Sequence, residues 1–254
     1  FLLEQKEAMG ALAFVQEYLC KVVDDESAVY KRQHLRKNMD MEKTIAWDSE
    51  EKGKYVIGFD PAQGLGRDYS VMVVLRQDEA GDIHFMNMWR RNDFAPDKQC
   101  EVIAEWTNKF GRCPLAAEDV GFQRLYQSLL ERMGHMVEYR PSKVSNKGLK
   151  QSLLNRVRVW FEQGKVHWPY GDIETRNLVN QLLDEFDSHV WKSGDIEDVG
   201  KHNDTVMAFA HAIDQFDSLK GSQVTFASSI SKGEWMGGKV AHPSRNNSRY
   251  PGLF

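Results

Sequence analysis

Three carboxylates fall where secondary-structure elements should end or begin. Asp60 closes the apolar run Tyr55-Val56-Ile57-Gly58-Phe59, Glu118 closes Pro114-Leu115-Ala116-Ala117, and Asp204 opens a stretch carrying Val206, Phe209, Ala210, Ile213 and Phe216 on one helical face. Brought to one rim of one sheet, such acids make an all-oxygen site for Mg²⁺ or Mn²⁺, hard cations that prefer carboxylates and retained waters. Two such ions about 3.5–4 Å apart activate a water and stabilise the departing oxygen of a phosphodiester. Each acid also has an ordinary reading. Asp is a common turn former, which suffices for Asp60 before Pro61, and an Asp in a first helical turn is favoured by the helix dipole, which suffices for Asp204. Glu118 is preferred to its neighbour Asp119 because the strand reading puts it nearest the sheet end. Side chains alternate along a strand, so the two should not face one ion.

The elements that must position these acids are legible in part. Tyr55–Asp60, Ser70–Leu75 and Ile83–Trp89 are β-branched and aromatic runs bounded by Gly, Pro and Asp clusters, which predicts hairpin-linked strands. Pro96 near a first turn and the stripe Val102, Ile103, Trp106 and Phe110 predict a helix stopped by Gly111. A strand at Pro114–Asp119, a helix over Leu125–Met133 closed by Gly134 and a strand at Met136–Tyr139 follow. Leu153, Leu154, Val157 and Trp160 predict another helix. Val166–Pro169 reads as an edge strand, since Pro169 cannot donate to a ladder, and Ile173, Leu178, Leu182, Leu183 and Phe186 give one more helix. Strands first by hairpin and then alternating with helices predict an α/β fold, a mixed β-sheet with helices on both faces. Residues before about Val23 suggest a helix, 24–54 a connector, and the Gly-, Ser- and Asn-rich stretch from Lys220 to Phe254 a flexible tail.

Composition narrows the function classes. A hydrophobic fraction of 41% and a charged fraction of 28% are ordinary for a globular chain with a core, and no apolar run approaches the roughly 20 residues that span a bilayer. Cys20, Cys100 and Cys113 have no pairing or zinc-ligand spacing and read as reduced thiols. A net charge of −4 argues against nucleic-acid binding by bulk charge but leaves a local basic surface open. Arg140, Lys143, Lys147, Lys150, Arg156, Arg158 and Lys165 form such a run, with Glu162 the one opposing acid in it. A solvated helix face is its usual meaning, while its start in a Ser/Asn/Gly loop suits a phosphate-contacting edge. Gly64 and Gly66 lack a following Gly-Lys-Ser/Thr, so a phosphate-cradling loop of nucleotide hydrolases does not fit and no ATP hydrolysis is expected of this chain.

The order of these motifs resembles the nuclease domain of the large terminase subunit of tailed bacteriophages, within the ribonuclease H-like superfamily. The carrying residues are Ile57-Gly58-Phe59-Asp60 with its Gly-rich loop into Asp68-Tyr69-Ser70, Ala117-Glu118-Asp119, the basic segment from Lys147 to Arg158, and His202-Asn203-Asp204 before Val206-Met207-Ala208. Phe14-Val15-Gln16-Glu17-Tyr18-Leu19 is similar to that family's passage out of its ATPase domain. The resemblance implies a ribonuclease H-like fold and Asp60, Glu118 and Asp204 as catalytic metal ligands for two Mg²⁺ or Mn²⁺ ions. Asp68 is a supporting acid and Asp119 the alternative to Glu118. Lys143, Lys147, Lys150, Arg156 and Arg158 would hold DNA. The implied activity is endonucleolytic cutting of double-stranded concatemeric viral DNA during packaging, with little sequence preference. The small terminase subunit and the procapsid portal are the implied partners, in the host cytoplasm. The implied domains are a connector after a missing ATPase domain at 1–50, the nuclease at 51–219 and a tail at 220–254. Asn203-Asp204 stands where many relatives have paired aspartates, and Gln63 where some carry an acid, which implies a weaker second metal site. Two rivals share parts of the pattern: another ribonuclease H-like nuclease acting on junctions or RNA-DNA hybrids, and a non-catalytic module docking DNA or portal.

Overall fold

The computed structural model describes residues 27–49, 51–62, 68–119, 121–142, 144, 146–200 and 202–216, with backbone alone at 121–123. The predicted N-terminal helix, the predicted tail and Lys143 lie outside the described residues. In chain order the elements are α1 (Arg32–Leu35), β1 (Met39–Asp40), β2 (Lys54–Asp60), β3 (Ser70–Gln77), β4 (Ile83–Arg91), α2 (Pro96–Lys109), β5 (Leu115–Glu118), α3 (Gly121–Arg132), β6 (Tyr139–Ser142), α4 (Lys147–Glu162), β7 (Val166–Pro169), α5 (Ile173–Asp187), β8 (His189–Lys192), β9 (Asp195–Asp198) and α6 (204–216).

The continuously apolar strands take the middle of a seven-stranded sheet ordered β1-β7-β4-β3-β2-β5-β6. β2, β3 and β4 are antiparallel neighbours, as the short links predict. Asp78 nucleates the tight β3–β4 turn, its carboxylate accepting the Asp82 amide at 2.9 Å while Gly81 takes a positive φ of 89°. β5 lies parallel to β2 and β6 parallel to β5. Parallel neighbours need crossovers, and α3 supplies the one from β5 to β6.

Alternation along β2 divides the molecule into two layers of helix. Tyr55, Ile57 and Phe59 point into a core with Ile103, Ala104 and Trp106 of α2 and Tyr126 and Leu130 of α3. The opposite face, carrying Val56, Gly58 and Asp60, receives α6. There Phe209 meets Phe161 of α4, Trp168 of β7 and Phe186 of α5 with ring centroids 5.8, 5.8 and 5.3 Å away. Helices therefore cover both faces of a mixed sheet.

Three local readings are corrected. The strand expected at Met136–Tyr139 begins at Tyr139 and runs to Ser142, because β5 offers partners only from Leu115 onward, opposite Tyr139; Met136 is 97% exposed. β7 is not the outermost strand, because β1 pairs beyond it in parallel. Pro169 is tolerated there since the amides of Trp168 and Tyr170 carry the bonds, to Asn38 and Asp40. Ser193-Gly194 turns a hairpin of β8 and β9 that periodicity did not predict. Both residues have positive φ, 53° and 87°, as a two-residue turn matched to strand twist requires.

The segment read as a connector is sewn to the sheet along 27–49. Tyr30 is buried against Phe161 and Phe186 and donates its hydroxyl to the Leu154 carbonyl, and the Trp168 indole donates to the Leu35 carbonyl at 2.7 Å. Cys100 and Cys113 are free thiols, and burial pushes them up to about 11 and about 12, which keeps them protonated and unreactive. Among the described residues no helix is long and apolar enough to cross a membrane.

Candidate metal centre

Two neighbouring parallel strands aim two acids the same way. Gly58 of β2 is in register with Ala116 of β5, so Asp60 and Glu118, each two residues further on, share a face and a rim. The third acid arrives on α6, and Gly58 permits its approach. A Cβ at Gly58 would collide with the Ala208 carbonyl oxygen and stand 2.9 Å from the Ala212 amide nitrogen. Ala208 lies one turn after Asp204, so this close crossing is what sets Asp204 beside the end of β2.

The surroundings of Asp204 fix its carboxylate. The Tyr69 amide donates to its Oδ2 at 3.3 Å, and His202 Nδ1 stands 3.9 Å from the same oxygen. The Tyr69 ring is sandwiched edge-on by His202 and face-on by the Arg90 guanidinium, whose carbon lies 3.4 Å from the ring centre. Thr205, the next residue, donates its amide to Glu185 of α5 at 2.9 Å, and its hydroxyl donates to the same carboxylate oxygen.

Like charge accumulates at this rim. Burial, then Asp204, hold the Asp60 carboxyl well above the usual carboxylate range, with Glu118 and Glu185 adding and Lys150 opposing. Burial raises Glu118 as well, against Lys150. Asp204 is raised by burial and by Asp68, while the Tyr69 amide, His202 and Arg90 pull it down. Glu185 is pushed up to about 7 by burial, against its bonds to Thr205 and the charge of Arg90. Carboxylate oxygens crowded against so little positive charge are the donor set hard divalent cations select. Among the described residues no three His, Cys, Asp or Glu side chains stand close enough to grip one ion together. The acids share a rim without forming a closed cage, and residues 63–67 lie outside the described residues.

The other sequence-predicted residues separate. Asp68 is exposed and close enough to act on Asp204. Asp119 turns to the surface, 3.0 Å from the Arg124 guanidinium. Of the basic run, Lys150 in the first turn of α4 acts on both Asp60 and Glu118. Lys147 pairs with Asp195, Arg156 with Asp214 and Arg158 with Glu162, each at 2.6 Å. The first two acids are distant in sequence, which is why Glu162 looked like the one counter-charge. Glu185 was missed outright. Its signal was an acid beside the inward positions Leu182 and Phe186, where a charged head is carried toward the core. His211 was missed too. It is fully buried on α6 with neither ring nitrogen hydrogen-bonded, and burial pushes it down to about 4, so it is neutral at pH 7.

A sheet running β4-β3-β2-β5-β6, helices on both faces, and acids where β2, β5 and α6 meet define a ribonuclease H-like fold. The family model of the terminase RNase H-like domain matches residues 57–216, more than half of the chain, and the chain belongs to that family. The large terminase nuclease of thermophilic phage G20c, in a structure with bound magnesium, superposes with a TM-score of 0.59 at 21% identity over 74% of this chain and 97% of that one. The large terminase nuclease domain of Thermus phage P74-26 gives 0.55 at 20% over 73% and 93%. The large terminase of bacteriophage HK97 gives 0.55 at 10% over 84% of this chain and 49% of that one. Comparison with curated proteins found no match.

Proposed function

We propose that this large-terminase nuclease domain is a divalent-metal-dependent endonuclease that cuts double-stranded concatemeric viral DNA during packaging, with Asp60, Glu118 and Asp204 as ligands for Mg²⁺ or Mn²⁺. The observation that carries the reading is the shared rim: half-buried Asp60 and Glu118 end neighbouring parallel strands in register, and the Gly58–Ala208 crossing brings Asp204 of α6 to them, with Lys150 as the opposing charge. The magnesium and cobalt bound by the G20c nuclease support the same class of ion. Bound among these acids, a divalent ion supplies charge that stabilises a departing phosphate oxygen and makes a water acidic enough to attack phosphorus at neutral pH.

The chain's own residues do the rest. Tyr69 and His202 hold the Asp204 carboxylate in one orientation, and Lys150 gives a phosphate a cation at the acidic rim. Lys147, Arg156 and Arg158, with Lys143, would track the backbone without reading bases. The pair Lys147–Asp195 is solvent-exposed and screened, so exchanging its acid for a phosphate is easy. Weak sequence preference follows from backbone contacts alone. In the assembled motor the small terminase subunit and the portal would be the partners.

Plasmid nicking with Mn²⁺ tests this. The wild-type chain should nick duplex DNA, and Asp60→Ala and Asp204→Ala should each lose at least about 100-fold, since even partners of metal ligands cost 10–100-fold. Equal nicking by the variants would refute the metal site, and exclusive cutting of four-way junctions or RNA-DNA hybrids would refute the substrate.

A further inference from the structure

We propose that Glu185 and Arg90 are positioning residues, a clasp that orients Asp204 by holding the first turn of α6 from two other elements. The inference rests on the metal-ligand reading of Asp204. α6 begins at residue 204, and its first amides have no intrahelical acceptor. The orphan amide of Thr205 is taken by Glu185 Oε2 from α5, at 2.9 Å, and the Thr205 hydroxyl joins it. Glu185 Oε1 accepts from Arg90 at the end of β4, at 3.3 Å. Arg90 lies flat on Tyr69, and the Tyr69 amide returns to Asp204. The ring of contacts closes through α5, β4 and the β2–β3 connection onto one carboxylate.

Both oxygens of Glu185 are occupied in this ring, and its side chain is 11% exposed beside an Arg90 that is 12% exposed. That engagement marks Glu185 as a support for Asp204 rather than a further ligand. A carboxylate also suits the site better than a neutral acceptor, because it faces the positive end of α6 and a buried guanidinium together.

The test separates positioning from ligation and from simple loss of fold. Mn²⁺ affinity is measured by calorimetry on Glu185→Gln and Thr205→Val, with plasmid nicking and thermal unfolding alongside. Glu185→Gln keeps an acceptor for the Thr205 amide but loses its charge; Thr205→Val removes only the hydroxyl. Both should weaken Mn²⁺ binding, by about 10–100-fold for Glu185→Gln and less for Thr205→Val. The KM for DNA should be unchanged, and excess Mn²⁺ should restore nicking. Unchanged Mn²⁺ affinity in both folded variants overturns the clasp. Weakening by Glu185→Gln with none by Thr205→Val also overturns it, since Glu185 would then bind metal directly. If unmutated chain binds no Mn²⁺, the metal reading itself fails, a result seen without any variant.

Discussion

Asp60 is held in the folded chain at a cost that the proposed metal site explains. Its carboxyl is raised by burial and by Asp204, so between its ordinary pKa near 3.8 and its folded value the native state keeps a proton that the unfolded chain has released. Without metal, this group's contribution to stability is therefore greatest below about pH 4 and is lost as pH rises through the folded pKa. Asp60→Asn should raise the stability of metal-free protein at pH 7 by about 0.5–2 kcal/mol, as removal of strained functional groups does. Thermal unfolding in EDTA reads this out, and the advantage over wild type should shrink as pH falls toward 4. Added Mn²⁺ should stabilise wild type and not the variant. A variant no more stable than wild type at pH 7 would contradict this account of Asp60. At this scale the sequence was informative about residue type and position in the chain. Asp60, Glu118 and Asp204 were visible as acids at element ends, because an acid interrupting an apolar run is a local signal. Glu185 was not, because its meaning depends on Thr205 and Arg90, which only the folded chain brings to it.

Among the elements, the crossing of β2 and α6 matters most. Gly58 leaves no room for a side chain against Ala208, and Asp60 follows it on the same face. Gly58→Ala should force β2 and α6 apart, destabilising the chain by about 1–3 kcal/mol, the range for overpacking. It should also depress Mn²⁺-dependent nicking beyond what the loss of folded protein explains. Chemical denaturation with an activity titration measures both, and full activity per folded molecule would contradict the role given to Gly58. The hairpins and amphipathic helices were legible because turn chemistry and 3.6-residue spacing are local. The β8–β9 hairpin went unseen because its strands are four residues each and its turn is Ser193-Gly194 rather than Asn-Gly. Apolar Met136 and Val137 suggest an earlier start for β6, while the ladder is set by where β5 begins.

For the whole molecule, the sheet extends past the part that the pattern predicted. Residues 27–49 add β1 outside β7 and bury Val29, Tyr30 and Leu35 against α4, α5 and β7, although their sequence reads as a charged connector. Pairing over more than 120 residues of sequence has no local signature. The same holds for the acids: Asp60, Glu118 and Asp204 belong together only because β5 lies beside β2 and α6 crosses it. The central claim is that this shared rim is where a divalent ion binds. Crystals soaked in Mn²⁺, examined by anomalous diffraction, test it most directly. The account predicts a peak among the carboxylates of Asp60, Glu118 and Asp204, whereas a peak elsewhere, or none at this rim, would contradict it.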